Sequence, residues 1–587
     1  LEKSPLFIYS AIAATVIIPL FVYLFMFQKE SVNSIAVLYM DVGSNSELNY
    51  LEAITEDLIF DLTSSSQGLL NVSESGTVKK YKNSELSLED LANDIGVDYI
   101  FQSSVKPDAN GYHLRYRLFD SNKGKDRFTE KKFIESRNLQ SIASVLVEII
   151  VKELDIETSD AFTRIEYDSE AYDLYLKSKS VYSLSDNYDD NLKAVELMKQ
   201  AISKDQNLVL AQIYLGQMQY ELGYFAEASI IYEKALSRSK SLQDNAGVAE
   251  SLRKQGQLLR KNKDYEAALA KFGEALSIST VMNDKSSMAK TFNSIAILNY
   301  KTDDKDNALK NWLHALAIVE EFGDKPKISK YLNNIGIWYW QDYDYSKSIE
   351  YYQKSLLIKR ELGDVRNIAK TLNNLGEVYF AMGDYPNSTT QFDESIEIKE
   401  KLQDNKGLNA SLYNRGETYF YSFEYNRAID DFRRTIRMIE DEESDHERYR
   451  YIGMSHFYLS NFDSCNFYLK KSDEFFANDY RKRLAILPYL VISYMKTGDN
   501  TLSNTALKNF RDIISDYDPP DKDYIITNWA AYKALSAVNE KSEAAEYLEN
   551  AYFMLKSKSK DIKNKQDRKK YLSAKLHENI MNEWSKR

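Results

Sequence analysis

The amino-acid sequence predicts a mainly α fold, in which an array of stacked helix pairs follows a transmembrane helix and a small α/β domain. Three observations lead to this prediction. Residue types recur every 40 positions between residues 205 and 440, an apolar stretch lies near the amino terminus, and strand and helix patterns alternate between residues 31 and 156. A fixed period of roughly 20–50 residues is typical of stacked units that cannot bury their apolar faces alone.

Four sequence columns carry the 40-residue period. A small residue is followed by an aromatic residue nine places on, with Lys305 as the exception, by a small residue twelve places on and by a second aromatic residue sixteen places on. The first column comprises Gly216, Gly256, Ala296, Gly336, Gly376 and Gly416, and the last comprises Tyr232, Phe272, Trp312, Tyr352, Phe392 and Phe432. We interpret these columns as packing positions, because small residues let two helices approach closely and aromatic rings fill the space between neighbours.

Dipeptides that end in Asp recur at the boundaries of the units. Each places a helix stop before an Asp that can cap the next helix. They are Gln243–Asp244, Asn283–Asp284, Gly323–Asp324, Gly363–Asp364 and Gln403–Asp404.

Composition and charge limit the classes of function. The 587 residues carry a formal net charge of -12, which argues against direct, phosphate-directed binding of nucleic acid. The single cysteine, Cys465, excludes an intramolecular disulfide and falls in a small-residue column, where we expect a buried thiol. The basic segment 556–587 carries apolar residues every four positions and is predicted to form a capping helix, with Leu572, Leu576, Ile580 and Trp584 on one face.

The apolar stretch near the amino terminus is long enough to cross a membrane. No residue from Ser4 to Gln28 is ionisable, and about 20 apolar residues span a hydrocarbon core of roughly 30 Å. We predict a transmembrane helix within residues 1–30, with residues 5–27 in the membrane. The flanking charges are balanced and give no orientation. Because the chain begins with Leu close to this stretch, we expect it to be the carboxy-terminal part of a longer protein.

Residues 31–156 read as a compact α/β domain. Strands are predicted at 34–40, 69–72, 99–105, 112–119 and 127–133, and helices at 48–62, 86–95 and 138–154. Asn110–Gly111 and Lys123–Gly124 are hairpin signals between the last three strands.

This segment resembles the TolB amino-terminal-like domain. The resemblance rests on Ile35-Ala36-Val37-Leu38, Thr55-Glu56-Asp57-Leu58, Leu91-Ala92, Ile95-Gly96-Val97-Asp98-Tyr99 and Ser104-Val105. That domain often lies between a transmembrane helix and tetratricopeptide repeats in bacterial signalling proteins. The resemblance implies an output domain upstream, such as a class III adenylate or guanylate cyclase, a winged-helix regulator or a protein kinase. It also implies an inner-membrane protein with its repeats outside the cytoplasm.

The array resembles tetratricopeptide repeats, as in "TLNNLGEVYFAMGDYPNSTTQFDESIEIKEKLQD". The resemblance implies a right-handed superhelix of about ten units over residues 165–555, with the first helix of each unit lining a concave groove. Such arrays bind peptides or proteins.

Two columns on the first helices are candidate ligand contacts. Two places before the small-residue column stand Asn334, Asn374 and Asn414, whose amides can hydrogen-bond an extended peptide. Four places after it stand Trp340, Phe380 and Phe420, which suit either a groove or the core. We expect the flanking residues Glu377, Arg415 and Glu417 to tune specificity.

Catalytic signals are weak. The sequence holds no phosphate-binding loop of the Gly-x-x-x-x-Gly-Lys-Ser/Thr type, and the five histidines are scattered. We therefore predict no catalytic, cofactor or metal site in this chain, and we expect a regulatory or sensory region that binds a peptide or protein and controls an output domain. Alternatives are a part of a nucleotide cyclase, a part of a winged-helix regulator, or an envelope scaffolding protein. The sequence leaves open whether the chain forms a homodimer.

Overall fold

A computed structural model describes residues 33–587 apart from 44–45, 67–68, 74, 83, 136–138, 157–166, 185–186, 322, 439–441 and 517–520. The chain divides into two compact units, Leu1–Tyr331 and Leu332–Arg587. We call them unit 1 and unit 2. The predicted transmembrane helix at 5–27 lies outside the described residues. Among the helices that the structure describes, none is long and apolar enough to cross a membrane.

Unit 1 begins with the α/β domain. Its strands are β1 (Asn33–Val37), β2 (Leu70–Val72), β3 (Tyr99–Asp108), β4 (Gly111–Asp120) and β5 (Lys125–Glu135). Its helices are α1 (Ile54–Ser65), α2 (Ser75–Val78), α3 (Leu88–Ile95) and α4 (Leu139–Glu153), with 3₁₀ turns at Ser46–Ala53 and Lys79–Tyr81. The predicted strands and helices are confirmed in order and type, except that the predicted helix at 48–62 starts as a 3₁₀ helix.

The sheet is mixed and has the strand order β2-β1-β3-β4-β5. Strand β1 pairs parallel with both β2 and β3, whereas β3, β4 and β5 pair antiparallel. Strand β1, which lies inside the sheet between β2 and β3, is apolar and buried, and Ile35, Ala36 and Val37 have no exposed surface.

Successive helix pairs follow the α/β domain, and each pair has a first and a second helix. The pairs within unit 1 are α5 (Ser169–Leu184) and α6 (Tyr188–Lys204), α7 (Val209–Glu221) and α8 (Phe225–Ser241), α9 (Asn245–Lys261) and α10 (Tyr265–Val281), and α11 (Lys285–Lys301) and α12 (Lys305–Glu321). The next pair, α13 (Lys325–Gln341) and α14 (Tyr345–Glu361), starts in unit 1. The later pairs are α15 (Val365–Ala381) and α16 (Tyr385–Lys401), α17 (Asn405–Tyr421) and α18 (Tyr425–Ile436), α19 (Glu442–Tyr458) and α20 (Phe462–Phe475), α21 (Tyr480–Lys496) and α22 (Asn500–Asp516), and α23 (Asp521–Ala537) and α24 (Lys541–Asp561). The mainly α array behind a small α/β domain is thus confirmed.

The small-residue column and the second aromatic column meet inside each pair. A Cβ atom placed on Gly376 would lie 2.6 Å from Cε1 of Phe392, and one on Gly216 would lie 2.4 Å from Cε1 of Tyr232. The residue at +12 adds a polar tie where it is serine, because the Ser388 hydroxyl donates to the carbonyl of Gly376 at 2.9 Å. The periodic columns are therefore the contact surface between the first and second helix of one unit.

The boundary dipeptides act as predicted. Gln243, Asn283 and Gln403 adopt left-handed backbone conformations with φ of 56°, 51° and 54°. The carboxylate of the following Asp accepts a hydrogen bond from a backbone N–H in the first turn of the next helix, as in Asp244 with Gly247 at 2.9 Å. Each dipeptide thus ends one helix and caps the next.

The α/β domain and the first helix pair of unit 1 share one hydrophobic core. Residues of α1 and α4 belong to the same cluster as Tyr172 and Leu176 of α5 and Leu215 of α7. Through this shared cluster the domain is packed onto the first repeat.

Two short helices, α25 (Lys565–Ser573) and α26 (Lys575–Trp584), end unit 2. Leu576 and Ile580 of α26 are buried in a cluster with Trp529 and Leu548 of the last helix pair. Residues 556–587, which were predicted to form one capping helix, form the end of α24 and these two short helices. The segment also contacts an earlier helix of unit 2, α14. The Asp567 carboxylate accepts hydrogen bonds from the backbone N–H and the hydroxyl of Ser346 at 2.9 and 2.7 Å.

Candidate functional site

The predicted asparagine row lies on the first helices α13, α15 and α17. Asn334, Asn374 and Asn414 are half-buried. The Asn414 amide donates to Oε1 of Glu377 at 3.0 Å, so it is used between neighbouring first helices. Among the described residues, the side chain of Asn374 has no hydrogen-bond partner. The row therefore holds one amide that is engaged within unit 2 and one that is available to a ligand.

Glu377 and Glu417 lie in the same layer of first helices but have different partners. Glu377 accepts hydrogen bonds from the amides of Asn373, at 2.7 Å, and Asn414. Burial raises the pKa of Glu377 above its ordinary value. Glu417 accepts a hydrogen bond from the hydroxyl of Tyr451, and burial raises the pKa of its carboxyl to about 7. Both carboxyls therefore release their protons at a higher pH than the carboxyl of an exposed glutamate does.

The side chain of Arg415 pairs with residues of the second helices and not with the two glutamates. Its Nε and Nη2 donate to the carboxylate of Asp431 at 2.8 and 2.7 Å, and its Nη1 donates to Asp393 at 2.6 Å. Asp393 and Asp431 belong to the second helices α16 and α18. The guanidinium charge is thus neutralised between second helices, away from the carboxyl groups of Glu377 and Glu417.

The predicted aromatic column, Trp340, Phe380 and Phe420, packs between helices. Trp340 contacts the core cluster that contains Tyr345 and Leu375, and the Phe380 ring lies 5.4 Å from the ring of Tyr421. Phe420 is 5% exposed. These rings fill space between first and second helices of unit 2, and the structure does not bring Trp340, Phe380 and Phe420 together with Arg415 in one site.

Unit 2 also contains a cavity of about 1030 Å³. Its walls come from the first helices α19, α21 and α23, from the start of α18, and from α26. Phe457 lines it together with Tyr425, Tyr458, Tyr489 and Trp529. The residues come from positions more than 100 apart in sequence, and for this reason periodicity alone did not reveal the cavity.

The cavity is aromatic inside. The rings of Tyr425 and Tyr458 stack with centroids 4.8 Å apart and an interplanar angle of 5°. The Tyr489 ring meets that of Phe457 edge-on at 5.1 Å. Stacked and edge-on contacts of this kind hold rings rigidly, so the wall is pre-formed.

Polar groups surround the aromatic wall. The Lys533 ammonium lies 4.5 Å from the ring centroid of Trp529, and the Tyr532 hydroxyl donates to Glu583 of α26 at 2.7 Å. Asn579 and Asn582 of α26 also line the cavity. An apolar hollow with a few placed polar groups is the usual composition of a ligand site.

Among the described residues, no group of three or more His, Cys, Asp or Glu side chains is placed to hold a metal ion.

Known proteins share the repeat pattern. The model of the tetratricopeptide repeat family matches residues 287–361 and 367–441. Residues 287–361 and 367–441 are therefore tetratricopeptide repeats, and the other helix pairs have the same two-helix form.

One more distant relative is a signalling enzyme by name. A protein of Rhizobium meliloti (strain 1021) named Putative adenylate cyclase 3 is 28% identical over 193 residues, which are 31% of this chain and 32% of that protein. The match thus spans about a third of the length of this curated relative.

Solved structures with similar helical arrays include the apo form of RapI, with 16% identity and a TM-score of 0.44, covering 59% of this chain and 97% of that chain. Another is a signal transduction ATPase with a tetratricopeptide repeat sensor from Pyrococcus horikoshii, with 13% identity and a TM-score of 0.48, covering 86% of this chain and 68% of that chain.

Proposed function

We propose that this chain is a non-catalytic regulatory region that binds a segment of a partner protein through unit 2. The observation that carries the proposal is the aromatic cavity lined by Phe457, Tyr489 and Trp529. A cavity of about 1030 Å³ is at the upper end of the roughly 300–1,000 Å³ typical of ligand sites. It has room for more than one apolar side chain.

The chemistry of the cavity selects a polypeptide with apolar or aromatic anchors. Burial of an aromatic side chain in a pre-formed pocket is the commonest source of binding energy at protein interfaces. The amides of Asn579 and Asn582 and the ammonium of Lys533 can pair with backbone groups on either side of such an anchor.

The asparagine row extends the proposed binding surface. The half-buried Asn374 amide has both a donor and an acceptor to offer to a peptide backbone, and Glu377 lies one turn further along α15. We propose that the partner's main chain crosses this part of the first-helix layer. The contribution of Asn414 is smaller, since a ligand must compete with its bond to Glu377.

The output of the proposed regulation is a nucleotide cyclase. The support is the 28% identity over 193 residues to the protein named Putative adenylate cyclase 3, together with the order of the α/β domain and the repeats. Partner binding would shift the population of two states of the regulatory region and so change the activity of the output domain. We propose further that residues 5–27 anchor the protein in a bacterial inner membrane with the repeats outside the cytoplasm.

The cavity is tested by filling it. Ala537 lines the cavity and is exposed, so Ala537→Trp adds an indole without disturbing the core. Tagged chains are used to capture proteins from an extract of the source cells, and the captured proteins are quantified by mass spectrometry. We expect Ala537→Trp to lose at least tenfold of the partner signal, because the indole occupies the space of the anchor.

Ala477→Trp is the matched control, since Ala477 is also exposed in unit 2 but does not line the cavity. It should capture as much partner as the unmodified chain, and both variants should unfold at the unmodified temperature. Equal capture by the two variants would contradict the cavity proposal.

The regulatory proposal is tested on the native protein. Antibodies against the repeats should isolate a protein that converts ATP or GTP to the cyclic nucleotide, whereas the purified 587-residue chain should form none. Native protein without cyclase activity under any tested condition would rule out the cyclase as its output.

A further inference from the structure

The first-helix face of unit 1 concentrates positive charge. Lys254 of α9, Lys290 of α11 and Lys330 of α13 lie on neighbouring first helices. Lys290 and Lys330 occupy the same column, six places before the small-residue column, and Lys254 occupies the column of the asparagine row. Residues four apart share a helix face, so these two columns form one surface.

Carboxylates neutralise only part of this charge. Glu250 pairs with Arg253, whose Nε donates to its carboxylate at 2.9 Å, and lies 3.8 Å from the Lys254 ammonium. Over the residues that the structure describes, no carboxylate lies within 4.0 Å of the ammonium of Lys290 or of Lys330. The cluster therefore has more cations than anions.

Arg260, six residues beyond Lys254 on α9, adds a further cation, whose charge acts on Lys330. Its Nη1 is buried and has no hydrogen-bond partner in the described part of the chain. A buried guanidinium nitrogen without an acceptor is costly unless a ligand or water supplies one.

The cations also act on one another. The pKa of Lys254 is lowered to about 8, first because the ammonium is buried and then because Arg253 lies beside it. The pKa of Lys330 is lowered as well, first by desolvation and then by Arg253, Lys327 and Lys290. Like charges held this closely repel, and an anion placed among them would relieve the repulsion.

We propose that this face of unit 1 binds an acidic segment of a protein, whose carboxylates pair with the ammonium groups of Lys254, Lys290 and Lys330. Neighbouring packed helices lie about 8–10 Å apart, so the three lysines span roughly 16–20 Å. An extended peptide rises about 3.3 Å per residue. A segment of about six residues with several carboxylates therefore matches the spacing.

The arrangement favours an acidic polypeptide over other anions. The cations form a row across three helices rather than converging on one point, as a single phosphate would require. The net charge of -12 repels a long polyanion such as nucleic acid at a distance. This site shares no residue with the cavity of unit 2. The two proposals can therefore fail independently: loss of one leaves the other standing.

The test measures binding of a fluorescein-labelled octaglutamate peptide by fluorescence anisotropy at pH 7 and low salt. The variant is Lys254→Gln, Lys290→Gln and Lys330→Gln combined. The matched control combines Lys234→Gln, Lys240→Gln and Lys310→Gln, which removes the same charge from exposed positions on the second helices α8 and α12. Labelled octaglutamine serves as the neutral probe.

We expect octaglutamate to bind the unmodified chain and octaglutamine not to bind. Because a hydrogen bond to a charged group is stronger than one to a neutral group, each lost ammonium should weaken binding at least tenfold. The triple variant should lose at least a hundredfold, the control triple less than threefold, and added salt should weaken binding. The single change Lys330→Gln, at an exposed position, should cost about tenfold even if the triple variant folds poorly.

Equal affinity of the two triple variants, or no binding of octaglutamate to the unmodified chain, would overturn the proposal. Labelled oligothymidine or vesicles of phosphatidylglycerol are tested in parallel. If either binds through the three lysines while octaglutamate does not, the site serves nucleic acid or lipid and the acidic-peptide assignment is wrong.

Discussion

At the scale of single residues, Glu417 is a predicted site residue whose pKa is shifted toward neutral pH. Burial raises the pKa of its carboxyl to about 7, and the nearby Arg450 and the hydrogen bond from Tyr451 only partly oppose this. The carboxyl of an unfolded glutamate has a pKa near 4.3. The folded state therefore holds the proton over a pH range in which the unfolded state has released it.

This difference sets the direction of a pH effect on stability. Between pH 4.3 and 7 the folded state binds more protons at Glu417 than the unfolded state does, so the contribution of this residue to stability falls as the pH rises. Glu417→Gln keeps an acceptor for the Tyr451 hydroxyl and removes the titration. We expect the variant to be more stable than the unmodified protein by roughly 3–4 kcal/mol above pH 7, and equally stable below pH 4.

Urea unfolding at pH 4, 5.5 and 7.5 measures the Glu417 effect. Glu397→Gln is the control, because Glu397 is exposed on α16 and pairs with Lys401 at 2.6 Å. It should show no such gain at high pH. A stability difference for Glu417→Gln that stays the same at all three pH values would mean that the carboxyl does not titrate in this range.

At the scale of helices, the sequence predicted local features well because their causes are local. The glycine column recurs because a Cβ at Gly256 or Gly376 would collide with the Phe272 or Phe392 ring, 2.6 Å away. The Asp at each boundary recurs because it caps the next helix. Such features depend on residues within about 20 positions of one another, and a 40-residue period makes them visible.

Contacts between helices far apart in sequence were less predictable. The basic carboxy-terminal segment was predicted to cap the array. In the structure Leu576 and Ile580 do cover the last helix pair, but Lys570 also pairs with Asp384 at 2.6 Å across 186 positions. No pattern in the segment itself indicates that partner. The cavity of unit 2 was missed for the same reason, since α26 supplies one of its walls.

At the scale of the molecule, the order of a small α/β domain followed by repeats was predictable from periodicity and hairpin signals. The packing of that domain onto the first repeat was not. The link is polar as well as apolar: Asp57 of α1 accepts hydrogen bonds from the hydroxyls of Tyr172, at 2.6 Å, and Tyr175, at 3.0 Å. The Lys179 ammonium lies 3.1 Å from Asp57 and 2.9 Å from Glu56.

This cluster shows that one sequence motif has two structural roles. Thr55-Glu56-Asp57-Leu58 was one of the markers of resemblance to the TolB amino-terminal-like domain. Within unit 1, Thr55 accepts a hydrogen bond from the backbone of Met40 at 3.0 Å and so ties α1 to the sheet, whereas Glu56 and Asp57 tie α1 to the first repeat. A motif that defines the domain thus also attaches it to its neighbour.

We expect this attachment to make the α/β domain and the first repeat unfold together. Burial alone would lower the pKa of Lys179, yet Asp57, Tyr175 and Glu56 raise it well above its ordinary value, so the ammonium depends on these partners. Removing one partner of a buried ion pair typically costs 3–5 kcal/mol. Because Glu56 remains near Lys179, Asp57→Ala should lower the free energy of unfolding of unit 1 by about 3 kcal/mol.

Hydrogen exchange of the full chain in dilute urea, followed by mass spectrometry, measures both the loss of stability and the helices that it affects. In Asp57→Ala, peptides from α1 and from α5 should lose protection together, because each helix buries polar groups that only the other satisfies. Asp126→Ala is the control, since Asp126 is exposed and lies 3.9 Å from its nearest cation, Arg117; it should leave both helices protected. Loss of protection in α1 with α5 unchanged would show that the domain is a separate folding unit, and a signal from the repeats could then not reach the α/β domain through this contact.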